Sequence, residues 1–168
     1  IEQIVIIMDA VIMGVEIMKK ILLAVISFLL VSCGRGIVFT EFAQLPSTGW
    51  EQDSLLRFEP VIEDTSGNYD VLLVVRHTDR YAYQNLWLFV DVLRDSTLIR
   101  RDTINGMLAD QDGAWYGRGM YIMEWPMLYL VDEELEAGSY QLVLQQAMRE
   151  PTLRGITDVG VKVVKNQE

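Results

Sequence analysis

Residues 86–92, Leu86-Trp87-Leu88-Phe89-Val90-Asp91-Val92, are apolar on both faces up to Asp91, and Val71-Leu72-Leu73-Val74-Val75 is apolar without a break. Successive side chains of a strand point to opposite faces, so such runs belong in the middle of sheets packed on both sides. Outward from them, the chain from Ile37 onward consists of short β-branched and aromatic segments, and no stretch sustains a helical apolar period. Expected strands cover 37–42, 55–62, 69–76, 86–93, 97–104, 127–130, 138–148 and 160–164. Turn-forming residues separate them: Ser47-Thr48-Gly49, Asp64-Thr65-Ser66-Gly67-Asn68, Arg94-Asp95-Ser96, Asp110-Gln111-Asp112-Gly113 and Glu136-Ala137-Gly138. This is an all-β pattern, and about eight short strands in this length predict two antiparallel sheets face to face. Leu135-Glu136-Ala137-Gly138-Ser139-Tyr140 before a long strand has the form of a tyrosine corner, whose phenol bonds back to upstream backbone. The expected architecture is therefore an immunoglobulin-like antiparallel β-sandwich over 37–168, preceded by an N-terminal signal helix.

The 168 residues carry a formal net charge of −10. Glu2, Asp9 and Glu16 against Lys19 and Lys20 account for −1 of it, so the chain after residue 33 carries −9. Such a chain lacks the basic surface that phosphate backbones require, which disfavours a nucleic-acid partner. One cysteine, Cys33, excludes an intrachain disulfide and a multi-cysteine zinc site. One histidine, His77, leaves few nucleophile-and-base pairs.

Met18-Lys19-Lys20 followed by Ile21-Leu22-Leu23-Ala24-Val25-Ile26-Ser27-Phe28-Leu29-Leu30 has the charged head and apolar core of a secretory signal. The run is shorter than the roughly 20 residues a spanning helix needs. It ends at Leu30-Val31-Ser32-Cys33, which resembles the bacterial lipobox, whose cysteine receives a diacylglyceryl group and becomes the first mature residue. On this reading 18–32 is the signal peptide, 33–36 the lipidated cysteine with its tether, and 1–17 upstream sequence wrongly joined to a gene product that starts at Met18. A longer apolar anchor around Glu16 is the alternative. A multiply acylated cysteine holds firmly, since each buried methylene contributes about 0.8 kcal/mol. Gly34-Arg35-Gly36 lacks an acidic export tag, so a periplasm-facing, membrane-anchored position is expected.

Asp110-Gln111-Asp112-Gly113 has the alternate carboxylates and glycine that begin a calcium loop. No further oxygen ligand follows at the right spacing and no glutamate stands at Met120 or Tyr121, so a polar turn capped by its aspartates is the favoured reading. Glu124, Asp132, Glu133 and Glu134 offer carboxylates, yet nothing selects a catalytic pair, and His77 reads as a strand-end polar residue. No phosphate loop, nucleophile elbow or zinc-protease helix is present. Neither a catalytic residue, a resident metal nor a cofactor beyond the lipid on Cys33 is expected. Aromatics are the surplus: Tyr81, Tyr83, Trp115, Tyr116 and Trp125 are candidates for a protein or sugar contact patch if exposed together, and for core packing if not.

Glu41-Phe42, Leu45-Pro46, Gly49-Trp50, Tyr83, Asn85-Leu86, Phe89-Val90, Leu108-Ala109-Asp110, Asp112-Gly113, Trp115, Gly117, Gly119, Gln146-Ala147-Met148-Arg149, Leu153, Gly155-Ile156 and Asp158-Val159-Gly160 occur in an order that resembles the GldH family of gliding-motility lipoproteins. The likeness spans nearly the whole chain after Cys33. It implies a Bacteroidetes envelope lipoprotein, non-enzymatic, associated with gliding and the linked type IX secretion machinery, whose partners are other envelope proteins and, through the lipid, a membrane. It carries over no catalytic residue and one site, Cys33. The other reading kept open is an envelope glycan-binding or glycan-processing accessory protein. Among the shared positions, Gly117, Gly119, Gly155 and Gly160 are expected to meet backbone demands at turns, and Arg149 to pair with Asp158.

Overall fold

A computed structural model of the chain describes Lys19 and residues 36–166. The signal helix, Cys33 and its tether fall outside the described residues apart from Lys19 and Gly36. Every strand lies in the second of two units into which the chain divides, Arg35–Glu168. In order these are β1 (Gly36–Gln44), β2 (Trp50–Glu51), β3 (Leu56–Phe58), β4 (Val61–Ile62), β5 (Asn68–His77), β6 (Asn85–Arg94), β7 (Thr97–Met107), β8 (Met123–Glu134), β9 (Gly138–Gln146), β10 (Thr152–Leu153) and β11 (Ile156–Lys165).

All strand pairs are antiparallel. One sheet runs β1-β11-β5-β8; the other runs β3-β9-β6-β7, with β4 continuing β3 along β9; β10 and β2 form a separate ribbon. Taking β3 and β4 as one broken strand, β6 and β7 are, among the described residues, the only consecutive long strands that are neighbours in one sheet; each other consecutive pair crosses between sheets. That order is a double-sheet jelly roll. It corrects the immunoglobulin-like expectation, in which the first two strands would pair in the same sheet. Turn residues mark where a chain reverses, and they leave open whether the returning strand joins the same sheet or the opposite one. The tyrosine corner itself is present, with the Tyr140 hydroxyl donating to the Glu136 carbonyl at 3.0 Å.

Both sheets contribute to one buried core: Leu73, Val75, Val159 and Val161 from the first, Leu86, Leu88, Val90 and Leu144 from the second, closed at one end by Trp50 and Leu153. The two apolar runs meet different fates. On β5, Val71, Leu73 and Val75 face inward, and Val74 on the outer face is also buried. Its cover comes from the cross-sheet row Phe42–Gly160–Val74–Pro126. Gly160 sits inside β11, not at a turn, and a Cβ there would come within 2.6 Å of the Phe42 ring. On β6 the inner residues are buried, whereas Trp87 and Phe89 remain 40% and 46% exposed, so this strand is covered on one face only. Asp91 shares their outer face and is held by Arg101 through two hydrogen bonds of 2.7 Å. Gly155 does occupy a turn, with φ +91° and a Cβ position only 2.3 Å from the Tyr81 backbone nitrogen.

Candidate interaction site

The domain has two unlike ends. Gly36, which opens β1, pairs with Lys165; at the other end of the strand Gln44 pairs with Asp158, next to Arg76. At about 3.3 Å per residue, the nine residues of β1 separate these poles by about 26 Å. The end where the chain enters carries the Asp95-Ser96 hairpin, with both residues at positive φ, and the acidic turns around Asp64 and Glu136. The far end gathers the β5–β6, β7–β8 and β9–β11 connections, and with them most of the aromatic surplus.

His77 ends β5 at this far pole. It is a strand-end residue as expected, but fully buried, its ring 4.4 Å from that of Trp115. Nδ1 lies 3.1 Å from the Thr78 carbonyl, an acceptor, so Nδ1 bears the proton of the neutral ring and Nε2 has no partner. Burial lowers its pKa, which keeps the imidazole uncharged at neutral pH. Tyr81 is buried beside it and donates to the Asn85 carbonyl at 2.8 Å. That corrects its inclusion in a surface patch: the Thr78–Tyr81 backbone turn and the hydrophobic core draw the ring inward. Trp115 is half-buried against the same core.

Tyr116 and Trp125 do reach the surface region together, ring centroids 5.4 Å apart. Tyr116 is exposed and Trp125 half-buried. They stand at the base of a finger. Arg118 and Glu124 exchange both backbone hydrogen bonds at 3.0 Å, and Glu124 in turn accepts from Arg76 Nε at 2.7 Å. The residues between them present Met120 and Tyr121, each 82% exposed, and Ile122. The sequence reading assigns no element to Met120-Tyr121-Ile122, and only the closure of the loop at Arg118 and Glu124 turns these side chains outward.

The Asp110 turn is a capped polar turn. Its Oδ1 accepts from the backbone nitrogens of Asp112 and Ala114, at 2.9 and 2.8 Å. Among the described residues, no group of three or more acidic, histidine or cysteine side chains is arranged to hold a metal. Arg149 is exposed and makes no ion pair with Asp158, because Asp158 lies within β11 opposite Arg76. Arg149 instead borders a shallow groove with Tyr83, Asn85, Trp87, Met148 and Glu150, on the outer side of the second sheet. A neighbouring groove lies between Arg80 and Arg154. Tyr83 and Glu150 line both, joined by a 3.0 Å hydrogen bond from the phenol to the carboxylate, a contact that raises the phenol's pKa. None of the described helical residues forms a segment long and apolar enough to cross a membrane.

Comparison with known proteins bears on the whole domain. The family model described as GldH lipoprotein matches residues 37–163. The gliding motility lipoprotein GldH of Flavobacterium johnsoniae is 30% identical over 149 residues, covering 84% of this chain and 93% of that protein. The gliding motility lipoprotein GldH homolog of Christiangramia forsetii is 30% identical over 144 residues, covering 80% of this chain and 88% of that one. Solved structures resemble the domain only loosely. The infectious bursal disease virus VP2 subviral particle matches at 15% identity and a TM-score of 0.33 over 76% of this chain and 30% of that chain. A family 35 carbohydrate binding module from Clostridium thermocellum matches at 8% identity and 0.30 over 72% and 97%. At these scores neither carries an argument about fold or function. The family match and both relatives agree over most of the chain, which belongs to the GldH family of lipoproteins.

Proposed function

We infer that the chain is a lipid-anchored envelope protein acting in gliding motility and the linked type IX secretion machinery, as a non-catalytic interaction module. The lipid is a diacylglyceryl group on Cys33, and the anchored domain faces the periplasm. The relatives' names support the motility assignment. The observation that carries the interaction reading is the finger: two large apolar side chains, Met120 and Tyr121, are held almost fully in solvent at the pole remote from the chain's entry into β1. Exposing such residues on a braced loop stabilises nothing within the domain, and a partner that buries them gains about 1.5–3 kcal/mol for each. His77, the sole imidazole, is sealed in the core.

Two experiments test this. Met120→Ser/Tyr121→Ser is expected to melt like the parent and to lose its copurifying envelope proteins from native membranes; retention of the same partners would sink the interaction reading. Metabolic labelling with a clickable fatty acid is expected to mark the parent and not Cys33→Ala, and label on the variant would refute the anchor. The glycan reading draws on exposed Trp87 and Phe89, side by side on the outer face of β6. Saturable calorimetric heats with a sugar panel, lost in Trp87→Ala, would favour it instead.

A further inference from the structure

The geometry points to a docking site for an acidic peptide segment of a partner protein, in the paired grooves flanking Tyr83 and Glu150 at the far end of the second sheet. This rests on the reading of the domain as an interaction module and names the chemistry of one partner contact.

On a chain of net charge −10, cations would be expected to find carboxylates. Arg76, Arg94, Arg100 and Arg101 do, each in an ion pair. Arg57, Arg80, Arg118, Arg149 and Arg154 make no ion pair among the described residues, and all five are exposed. All but Arg57 lie in the connections at the far pole. Three of those line the two grooves: Arg80 and Arg154 one, Arg149 the other. The carboxylates closest in sequence are Asp79 and Glu150, and Glu150 is already engaged by the Tyr83 hydroxyl. Other acidic residues stand at both poles, Asp64, Asp95, Glu133, Glu134 and Glu136 at the chain-entry end and Glu51, Asp53, Asp110 and Asp112 at the far one, but none of them forms an ion pair with a groove arginine.

Guanidinium groups present a planar fork of donors that matches a carboxylate, and three of them along one surface favour a ligand with several acidic side chains. The grooves also offer apolar contact from Tyr83, Trp87 and Met148, and Phe89 continues that surface along β6. Acidic residues flanking an apolar or aromatic one are what this combination would recognise. A bare polyanion would use the arginines alone and leave Trp87 idle. Complementary charge also speeds encounter between partners, so a local cluster of arginines on an acidic domain would orient docking.

The test uses the full chain in detergent micelles and a fluorescein-labelled decapeptide of aspartates and glutamates around a central Leu-Phe pair. Saturable binding is expected, at least about tenfold weaker in Arg80→Glu/Arg149→Glu and in the milder Arg80→Gln/Arg154→Gln, and weaker in Trp87→Ala. Arg57→Glu should leave it within about twofold, as for a charge outside the grooves. Three results would overturn the proposal: binding no stronger than that of a lysine counterpart, equal weakening by Arg57→Glu, or equal affinity for dextran sulfate or phosphatidylglycerol vesicles. Because Met120 and Tyr121 lie outside the grooves, loss of partners on their substitution alongside any of these results would leave the interaction module standing and remove only the acidic segment.

Discussion

Gly160→Ala should destabilise the domain by about 1–3 kcal/mol, a cost in the range of core overpacking, although the substitution adds one methyl group to a strand that favours side chains. The new Cβ would stand 2.6 and 2.7 Å from two carbons of the Phe42 ring and 2.8 Å from the Glu41 carbonyl oxygen. Carbon contacts are comfortable at about 3.5–4.0 Å, so the ring must retreat by about 1 Å. It is not free to do so, since the Arg76 guanidinium lies 3.9 Å from its centroid and Arg76 is fixed in turn by Glu124. Phe42→Ala alone should cost about 1–2 kcal/mol through lost cover of Val74 and the lost cation–π contact. In the double variant the ring is gone, and the penalty for the added methyl group should shrink to the Glu41 contact. The two effects should therefore fall short of additivity by at least about 1 kcal/mol. Urea unfolding followed by the fluorescence of the four tryptophans measures all three variants. Additive losses within about 0.4 kcal/mol would refute the claim that ring and glycine are paired.

Tyr140→Phe removes the bond to the Glu136 carbonyl and should cost about 0.5–1.5 kcal/mol; an unchanged melting temperature would show the corner to be ornamental. His77 has its pKa lowered below the ordinary 6.5 by burial, so the unfolded chain takes up a proton that the folded one refuses. Its contribution is fully present above the unfolded value of 6.5 and is lost as pH falls from there through the lower folded one. The difference in melting temperature between about pH 7.5 and about pH 5.5 should be smaller in His77→Leu than in the parent, and equal differences would contradict the buried neutral imidazole. Arg149→Met should leave the melting temperature unchanged within about 1 °C, as for an exposed side chain without an ion pair. Asp91→Asn breaks an ion pair with an exposed Arg101 and should cost no more than about 1 kcal/mol in urea unfolding; a larger loss would mean that the pair sets the register of β6 and β7.

The sequence alone determined the class of the fold and most strand positions, because period-two alternation and turn chemistry are local properties. Runs such as Val71–Val75 and breaks such as Arg94-Asp95-Ser96 act over a few residues, and the structure has strands and turns where they stand. The tyrosine corner was legible for the same reason. The extent of β8 was not: Pro126 and the alternation around Trp125 hid its first four residues, which cross-strand bonds to β5 recruit. Tertiary structure alone decided the strand order. Each hairpin-like break is compatible with pairing in one sheet or crossing to the other, and the jelly-roll choice depends on which arrangement lets both sheets close on a common core. The fate of individual apolar residues was likewise a tertiary matter. Tyr81 and Tyr83 are two residues apart, yet one is sealed against His77 and the other borders two grooves. Trp87 and Val74 sit in similar apolar runs, yet only Val74 has a neighbouring ring to cover it. Composition also gave the net charge of −10 but not which arginines stand without a carboxylate. Arg80, Arg149 and Arg154 line neighbouring grooves because the fold brings distant connections to one end, and no local pattern links them.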